Sequence, residues 1–232
     1  MALTRLTHPL VKHLVKLRQN KKYRQEQQRL LIEGKTLLKE LPVKPLTILS
    51  CESPPFPHTT TTPEVIQKIA GTQHPEGTVA EVPFPDLLFP KNPKRLLILD
   101  AIRDPGNLGN LLRTALAFNW DGVLLLPGTC DPFNDKALRA SRAAPFHLPI
   151  KQATWDTLPD IPCYLADLTG TPLTACHPTS PFALLLSNEA SGPSQTALKT
   201  CIPITIPMPG PTESLNVATA GAILLHHFSI AR

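Results

Sequence analysis

Apolar positions along the chain fall into two rhythms, one of helical spacing and one of short aliphatic runs. Over residues 8–19, Leu10, Leu14 and Leu17 share a helical face with Val11 and Val15 beside them, while Lys12, His13, Lys16 and Arg18 fall elsewhere, which predicts a basic amphipathic helix. The aliphatic run Leu30-Leu31-Ile32 closes on Glu33-Gly34 and predicts a strand leading into a helix over 35–41. A second strand is expected over 46–50 and a third over 77–82. Between them Thr62 and Pro63 mark the start of a helix through Ala70. These elements make a small α/β unit over residues 1–90. Eleven prolines stand between residues 42 and 95, and the run 83–94, with prolines at 83, 85, 90 and 93, reads as a linker.

The second half alternates regularly. Residues 95–100 form an aliphatic run suited to a parallel sheet covered on both faces. A glycine-containing loop follows, then a helix with Leu108, Leu111, Leu112, Ala115 and Leu116 on its buried side and Asn107, Asn110 and Thr114 as a polar stripe. Further strands are expected over 123–126, 161–166 and 182–186, with a helix over 134–143. Near the C-terminus a β-branched run, Ile204-Thr205-Ile206, enters a loop stiffened by Pro207, Pro209 and Pro211. An apolar helix over 217–228 ends the pattern, opened by Ser214 as N-cap or by Asn216. Strands alternating with helices predict a mostly parallel α/β sheet over 91–232.

Charge changes this picture at one end only. The formal net charge is +5, yet residues 1–40 carry ten Lys/Arg against three Asp/Glu, while the remaining 192 carry thirteen against fifteen. Such a segment suits an RNA-facing surface or a solvated helix. Within it Lys21, Lys22 and Arg24 surround Tyr23, a set able to hold phosphates while the ring stacks on a base; Arg139 and Arg142 are further candidates for phosphate contact. The five cysteines are scattered without C-x-x-C spacing, which argues against a disulfide framework or a zinc site and for a reducing, cytoplasmic setting. No apolar run reaches the length of a membrane span, and no metal is expected.

Candidate chemistry gathers at loops that follow strands, where open α/β sheets bind ligands. Asp104-Pro105-Gly106-Asn107-Leu108-Gly109 leads through Arg113; its glycines stand as G-x-x-G, and the missing G-x-G-x-x-G pattern argues against a nicotinamide-dependent oxidoreductase. Ser187-Asn188-Glu189 with Gly192 closes the strand before it, and Ile206-Pro207-Met208 with Ser214-Leu215-Asn216-Val217 forms the last loop. In order and spacing, these three segments resemble the motifs of the SpoU (TrmH-type) family of RNA ribose 2′-O-methyltransferases. The N-terminal unit resembles the ribosomal-protein-like substrate-binding domain of many members through Tyr23-Arg24, residues 31–34 and residues 76–80.

The resemblance implies a SPOUT fold whose C-terminal segment forms a trefoil knot, and a homodimer whose active site draws on both subunits. It implies S-adenosylmethionine held at Ser187, Ile206, Met208 and Leu215, largely by main chain. The resemblance also implies that Arg113 helps the ribose hydroxyl lose its proton. Because arginine is almost never deprotonated, holding the adjacent phosphate and stabilising the developing alkoxide is favoured, with base action left open. Asn107, Glu189, Ser214 and Asn216 would orient Arg113, the ribose and the cofactor. The substrate would be RNA, ribosomal rather than transfer RNA because of the N-terminal unit; a non-catalytic RNA-binding relative is the alternative. Two positions depart from the family pattern: Ser187 stands where glycine is usual, and Arg142-Ala143-Ala144 follows Ser141 where a Gly-Ala pair is usual.

Overall fold

The computed structural model describes residues 2–188 and 192–230. Its first sheet has the order β1-β4-β2-β3, built from β1 (Arg29–Glu33), β2 (Thr47–Ser50), β3 (Thr59–Thr60) and β4 (Thr78–Pro83). Both faces are covered, which explains why Leu30, Leu31 and Ile32 are all buried instead of alternating. On one face Leu31, Leu49 and Val79 meet Val11, Leu14 and Leu17 of α1 (Pro9–Gln19) and Val65, Ile66 and Ile69 of α4 (Pro63–Ala70). On the other, Leu30, Ile32, Ala80 and Val82 meet Leu37 and Leu38 of α3 (Lys35–Glu40).

The second sheet is wholly parallel, in the order β10-β8-β9-β5-β6-β7. Its strands are β5 (Arg95–Asp100), β6 (Gly122–Leu125), β7 (Ile150–Gln152), β8 (Cys163–Pro172), β9 (Phe182–Ser187) and β10 (Ile202–Thr205). Strand order reverses between β5 and β9, so the crevice beyond their carboxyl ends is the expected ligand position. α5 (Pro105–Ala117) and α8 (Val217–Ile230) cover one face, and α7 (Gln195–Thr200) packs Ala197 on the other. This is the mostly parallel α/β architecture expected for the second half. β3, β7 and α7 were not anticipated, being short and polar or proline-flanked.

Gly109 shows why the first turns of α5 carry a glycine. A Cβ there would lie 2.5 Å from the Ala140 Cβ and 2.7 Å from the Ala137 carbonyl oxygen, so it permits α5 to lie against α6 (Asp135–Ala140). α6 ends at Ala140, short of the expected 143, because Arg142 and Ala143 take positive φ values of 48° and 55°. Gly221 plays the matching part in α8: its missing Cβ leaves room for Leu111 and Leu186.

The segment 84–94 contains no helix or strand, yet it is not a loose tether. Phe84 packs on Phe133 with ring centroids 4.9 Å apart, and Phe89 lies against Gly122. The second face of the first sheet also buries Leu138, Ala143 and Phe146, so the two sheets share one apolar cluster. Three ion pairs cross the same junction, Arg24–Asp131, Arg139–Glu33 and Arg142–Glu40. Of the residues expected to reach phosphate, Arg24 is thus turned into the junction, while Arg139 and Arg142 have carboxylate partners but stay partly exposed. Arg24 is 4% exposed and also donates to the carbonyls of Leu17 and Arg18, at 2.8 and 2.9 Å, near the end of α1.

Tyr23 has partners within the chain as well. It belongs to a short helix, α2 (Lys21–Gln27), capped by Asn20, and is half-buried. Lys16 Nζ sits 4.1 Å from its ring centroid, His13 meets the ring edge-on at 5.6 Å, and its hydroxyl contacts His13 Nδ1 at 2.9 Å. The ring is therefore a brace between α1 and α2 with one face already covered by an ammonium. Lys21 and Lys22 remain exposed.

Three substitutions test this packing by urea unfolding. Asp131→Asn strands the buried Arg24 and should cost about 3 kcal/mol, whereas Glu40→Gln, at an exposed pair, should cost less than about 1 kcal/mol. Gly109→Ala should cost about 1–3 kcal/mol, because the clash is with backbone as well as side chain.

Candidate active site

The strand ends at the order reversal are tied to one another before any ligand is considered. Asn188, just past β9, donates its amide to the Ala101 carbonyl just past β5, at 3.1 Å. The Thr129 hydroxyl donates to the Leu99 carbonyl at 2.9 Å and accepts from the Ile102 amide at 3.3 Å. At the end of β5, burial pushes the Asp100 carboxyl above the usual carboxylate range, opposed by a hydrogen bond from Ser194.

One amide bridge joins the two long helices. Asp104 caps α5, its Oδ1 accepting from the Asn107 amide at 2.7 Å. Asn216 caps α8, its Oδ1 accepting from Ala218 and Thr219 amides at 2.9 and 3.3 Å. Asn216 is thus the N-cap, and the expectation for Ser214 is corrected: Ser214 is exposed in the loop. Asn216 Nδ2 then donates to Asn107 Oδ1 at 3.0 Å, which sets the two helix starts side by side.

Beside this bridge opens a cleft of about 220 Å³. Its walls are Leu186, Ser187 and Asn188 from the end of β9, Ile204 to Ile206 and Met208 from β10 and beyond, Ser214 and Leu215 from the loop, and Val217 from α8. Ala166, Asp167 and Leu168 form a further wall that sequence reasoning missed. They belong to an excursion of β8: Leu165 pairs with Pro203, but the next residue of β10, Ile204, pairs with Thr171. Gly170, with φ at 138°, makes this possible, since a Cβ would lie 2.4 Å from the Pro203 carbonyl oxygen. Asp167 Oδ1 holds the turn by accepting from the Thr169 amide and hydroxyl at 2.9 and 3.0 Å. The Asp-Leu-Thr-Gly stretch was the one available signal.

Of the residues expected to bind a cofactor, Ser187, Ile206, Met208 and Leu215 line this one cleft, as does Ser214. Asn107 and Asn216 meet at 3.0 Å next to it. Arg113 is exposed on α5 and is absent from the cleft walls. Glu189 lies outside the described residues. Among the described residues no cluster of His, Cys, Asp and Glu is placed to hold a metal, and no helix is long and apolar enough to cross a membrane.

The sequence profile of the SpoU rRNA Methylase family matches residues 94–226, which spans α5, most of α8, the reversed strands and the whole cleft. The chain belongs to the SpoU rRNA methylase family. It is 33% identical over 178 residues to a 23S rRNA (guanosine(2553)-2′-O)-methyltransferase of Bacillus subtilis, covering 71% of this chain and 69% of that one. It is 32% identical to human mitochondrial rRNA methyltransferase 3 over 64% of this chain, but spans only 42% of that protein. An AdoMet-bound rRNA methyltransferase from Sinorhizobium meliloti superposes with a TM-score of 0.82 at 27% identity, over 98% of this chain and 97% of that one.

Like its family, this SpoU chain is an S-adenosylmethionine-dependent RNA 2′-O-methyltransferase, and the cleft suits that cofactor. Leu186, Ile204 and Leu215 offer apolar surface for a flat ring, while Ser187, Thr205, Ser214 and Asp167 offer hydroxyls and a carboxylate for polar ends. Asn216→Ala removes both the cap and the bridge. It should lower stability by about 1 kcal/mol in urea unfolding and reduce methyl transfer beyond what the folded fraction accounts for.

Proposed function

We propose that this enzyme methylates ribosomal RNA, with S-adenosylmethionine held in the cleft and the nucleotide presented across the Asn107–Asn216 bridge. The observation that carries this reading is the convergence of three distant stretches: residues 187–188, 206–208 and 214–217 share one cleft, and Asn107 is hydrogen-bonded to its rim. The names of the Bacillus and human relatives, both rRNA methyltransferases, favour ribosomal RNA. Bound in the cleft, the cofactor supplies an electrophilic methyl group for in-line transfer to a ribose hydroxyl.

The chain's own contribution is alignment and charge. Prolines at 207, 209 and 211 fix φ along the loop, so its main-chain donors and acceptors need little reordering on binding. Ser187, Ile206, Met208 and Leu215 hold the cofactor, and Asn107, Glu189, Ser214 and Asn216 orient the ribose. A guanidinium stays protonated in proteins, so Arg113 grips the adjacent phosphate and stabilises the developing alkoxide rather than taking the proton. Arg113 stands about 9 Å along α5 and about 120° round it from Asn107, off the cleft of its own chain. That placement favours a homodimer in which each cleft takes its arginine from the partner subunit.

Two finer features belong to the same reading. The excursion of β8 and the close approach of Gly170 to β10 favour a threaded, trefoil-knotted C-terminal segment. The N-terminal unit acts as the ribosomal-protein-like RNA-binding domain, with exposed Lys21 and Lys22 as its phosphate contacts.

Arg113→Ala should reduce methyl transfer at least about 100-fold, the scale of losing one transition-state donor, while calorimetry finds S-adenosylmethionine binding close to wild type. Retained activity would overturn the role given to Arg113.

A further inference from the structure

Two cysteines lie together at the edge of the parallel sheet, away from the cleft. Cys163 opens β8, and Cys201 stands just before β10, one position ahead of the Ile202–Tyr164 pairing. Their sulfurs are 3.2 Å apart. Both belong to or pack against the apolar cluster that α7 covers; Cys201 is 8% exposed, and the neighbouring Leu198 and Ile202 are themselves exposed. Cys163 is itself half-buried.

We propose that Cys163 and Cys201 form a reversible intramolecular disulfide when the enzyme meets a peroxide. A disulfide needs its sulfurs about 2 Å apart, so closure asks for about 1 Å of side-chain movement from the present contact. In the first step the Cys201 thiolate attacks one peroxide oxygen; the O–O bond breaks, hydroxide leaves and takes a proton to become water, and Cys201 becomes a sulfenic acid. The Cys163 sulfur then attacks the Cys201 sulfur, the S–O bond breaks and a second water leaves. Two thiols are oxidised, one hydrogen peroxide is reduced, and a thiol reductant reverses the bond by exchange.

The 3.2 Å contact lets either sulfur resolve the other once one is oxidised, and the two are unequal. The hydrogen bond from Cys163, helped by the Thr200 hydroxyl, holds Cys201 below the ordinary cysteine range, whereas its position beside Cys201 and burial push Cys163 up. Cys201 is therefore the attacking thiolate and Cys163 the resolving thiol. Burial pushes Cys130 up to about 11 and also raises Cys176, so neither competes as a nucleophile. The bond would staple β10 to β8 at their roots, below the points where both strands run on into cleft walls.

The test treats the full chain with hydrogen peroxide, blocks remaining thiols with iodoacetamide, and maps peptides by mass spectrometry without reduction. The expected product is a 163–201 cross-linked peptide, two hydrogens lighter than the free pair and lost on dithiothreitol. Oxidised wild type should melt several degrees higher than reduced, and Cys163→Ser should abolish both the link and the shift while leaving a dimedone-reactive Cys201. Three outcomes would overturn the proposal: both cysteines alkylated at a dose that oxidises Cys51, Cys201 found as a sulfinic acid in wild type without the cross-link, or a melting point that oxidation leaves unchanged.

Discussion

One side-chain amide sets the geometry on which the site depends. Asn216 caps α8 with its oxygen and reaches Asn107 with its nitrogen, so the start of α8 is fixed against the start of α5. Neither helix could be placed there by burial alone, because apolar contact is non-directional and tolerates sliding. The close packing of Gly221 on Leu111 and Leu186 sets the distance between helix and sheet, and the amide bridge sets the register along it. Trp120 adds a second pin near the other end of α8, its indole donating to the Leu225 carbonyl and the Ser229 hydroxyl at 3.3 and 3.1 Å. A cleft bounded by α8 and three strand ends keeps its shape only while that register holds.

The second constraint is the junction between the two sheets. A proline-rich stretch suggests a flexible tether, yet Phe84 and Phe89 dock onto neighbouring elements, and α6 shares the apolar cluster of the first sheet. Arg24 converts this contact into a defined orientation. It joins the end of α1 to Asp131, and few side chains could satisfy two carbonyls and a carboxylate at once with planar, forked donors. Its burial makes loss of either partner costly, whereas the exposed Arg142–Glu40 pair is energetically marginal.

Much of this was legible in the sequence, and the failures share a cause. Helical and strand periods located α1, α4, α5, α8, β5 and β9 because local spacing and burial on one or both faces agree there. The motif residues around Asn107, Ser187 and Leu215 could be grouped because strand ends in a parallel sheet share one edge. The carboxylate partners of Arg24, Arg139 and Arg142 were not legible: a cation looks the same in sequence whether or not a carboxylate 102 to 107 residues away meets it. The cleft wall at Asp167 was hidden because β8 leaves its ladder and rejoins it, a bulge that only Gly170 hints at.

Setting the buried Arg24 aside sharpens the electrostatics. Within the first forty residues Arg24, Arg29 and Lys35 have carboxylate partners beyond their own helix, and Lys16 covers Tyr23. The exposed positive surface then centres on α1 and α2, with Lys12, Lys21 and Lys22 prominent. Phosphate contacts position a nucleic acid without reading its bases, so their value depends on how rigidly they are carried. Under the proposed function, a strand of RNA gripped by α1 and α2 would be held at a fixed offset from the cleft, because Arg24 and the shared apolar cluster tie the first unit to the second. On a free tether of eleven residues the same lysines would raise local concentration but could not choose among neighbouring riboses.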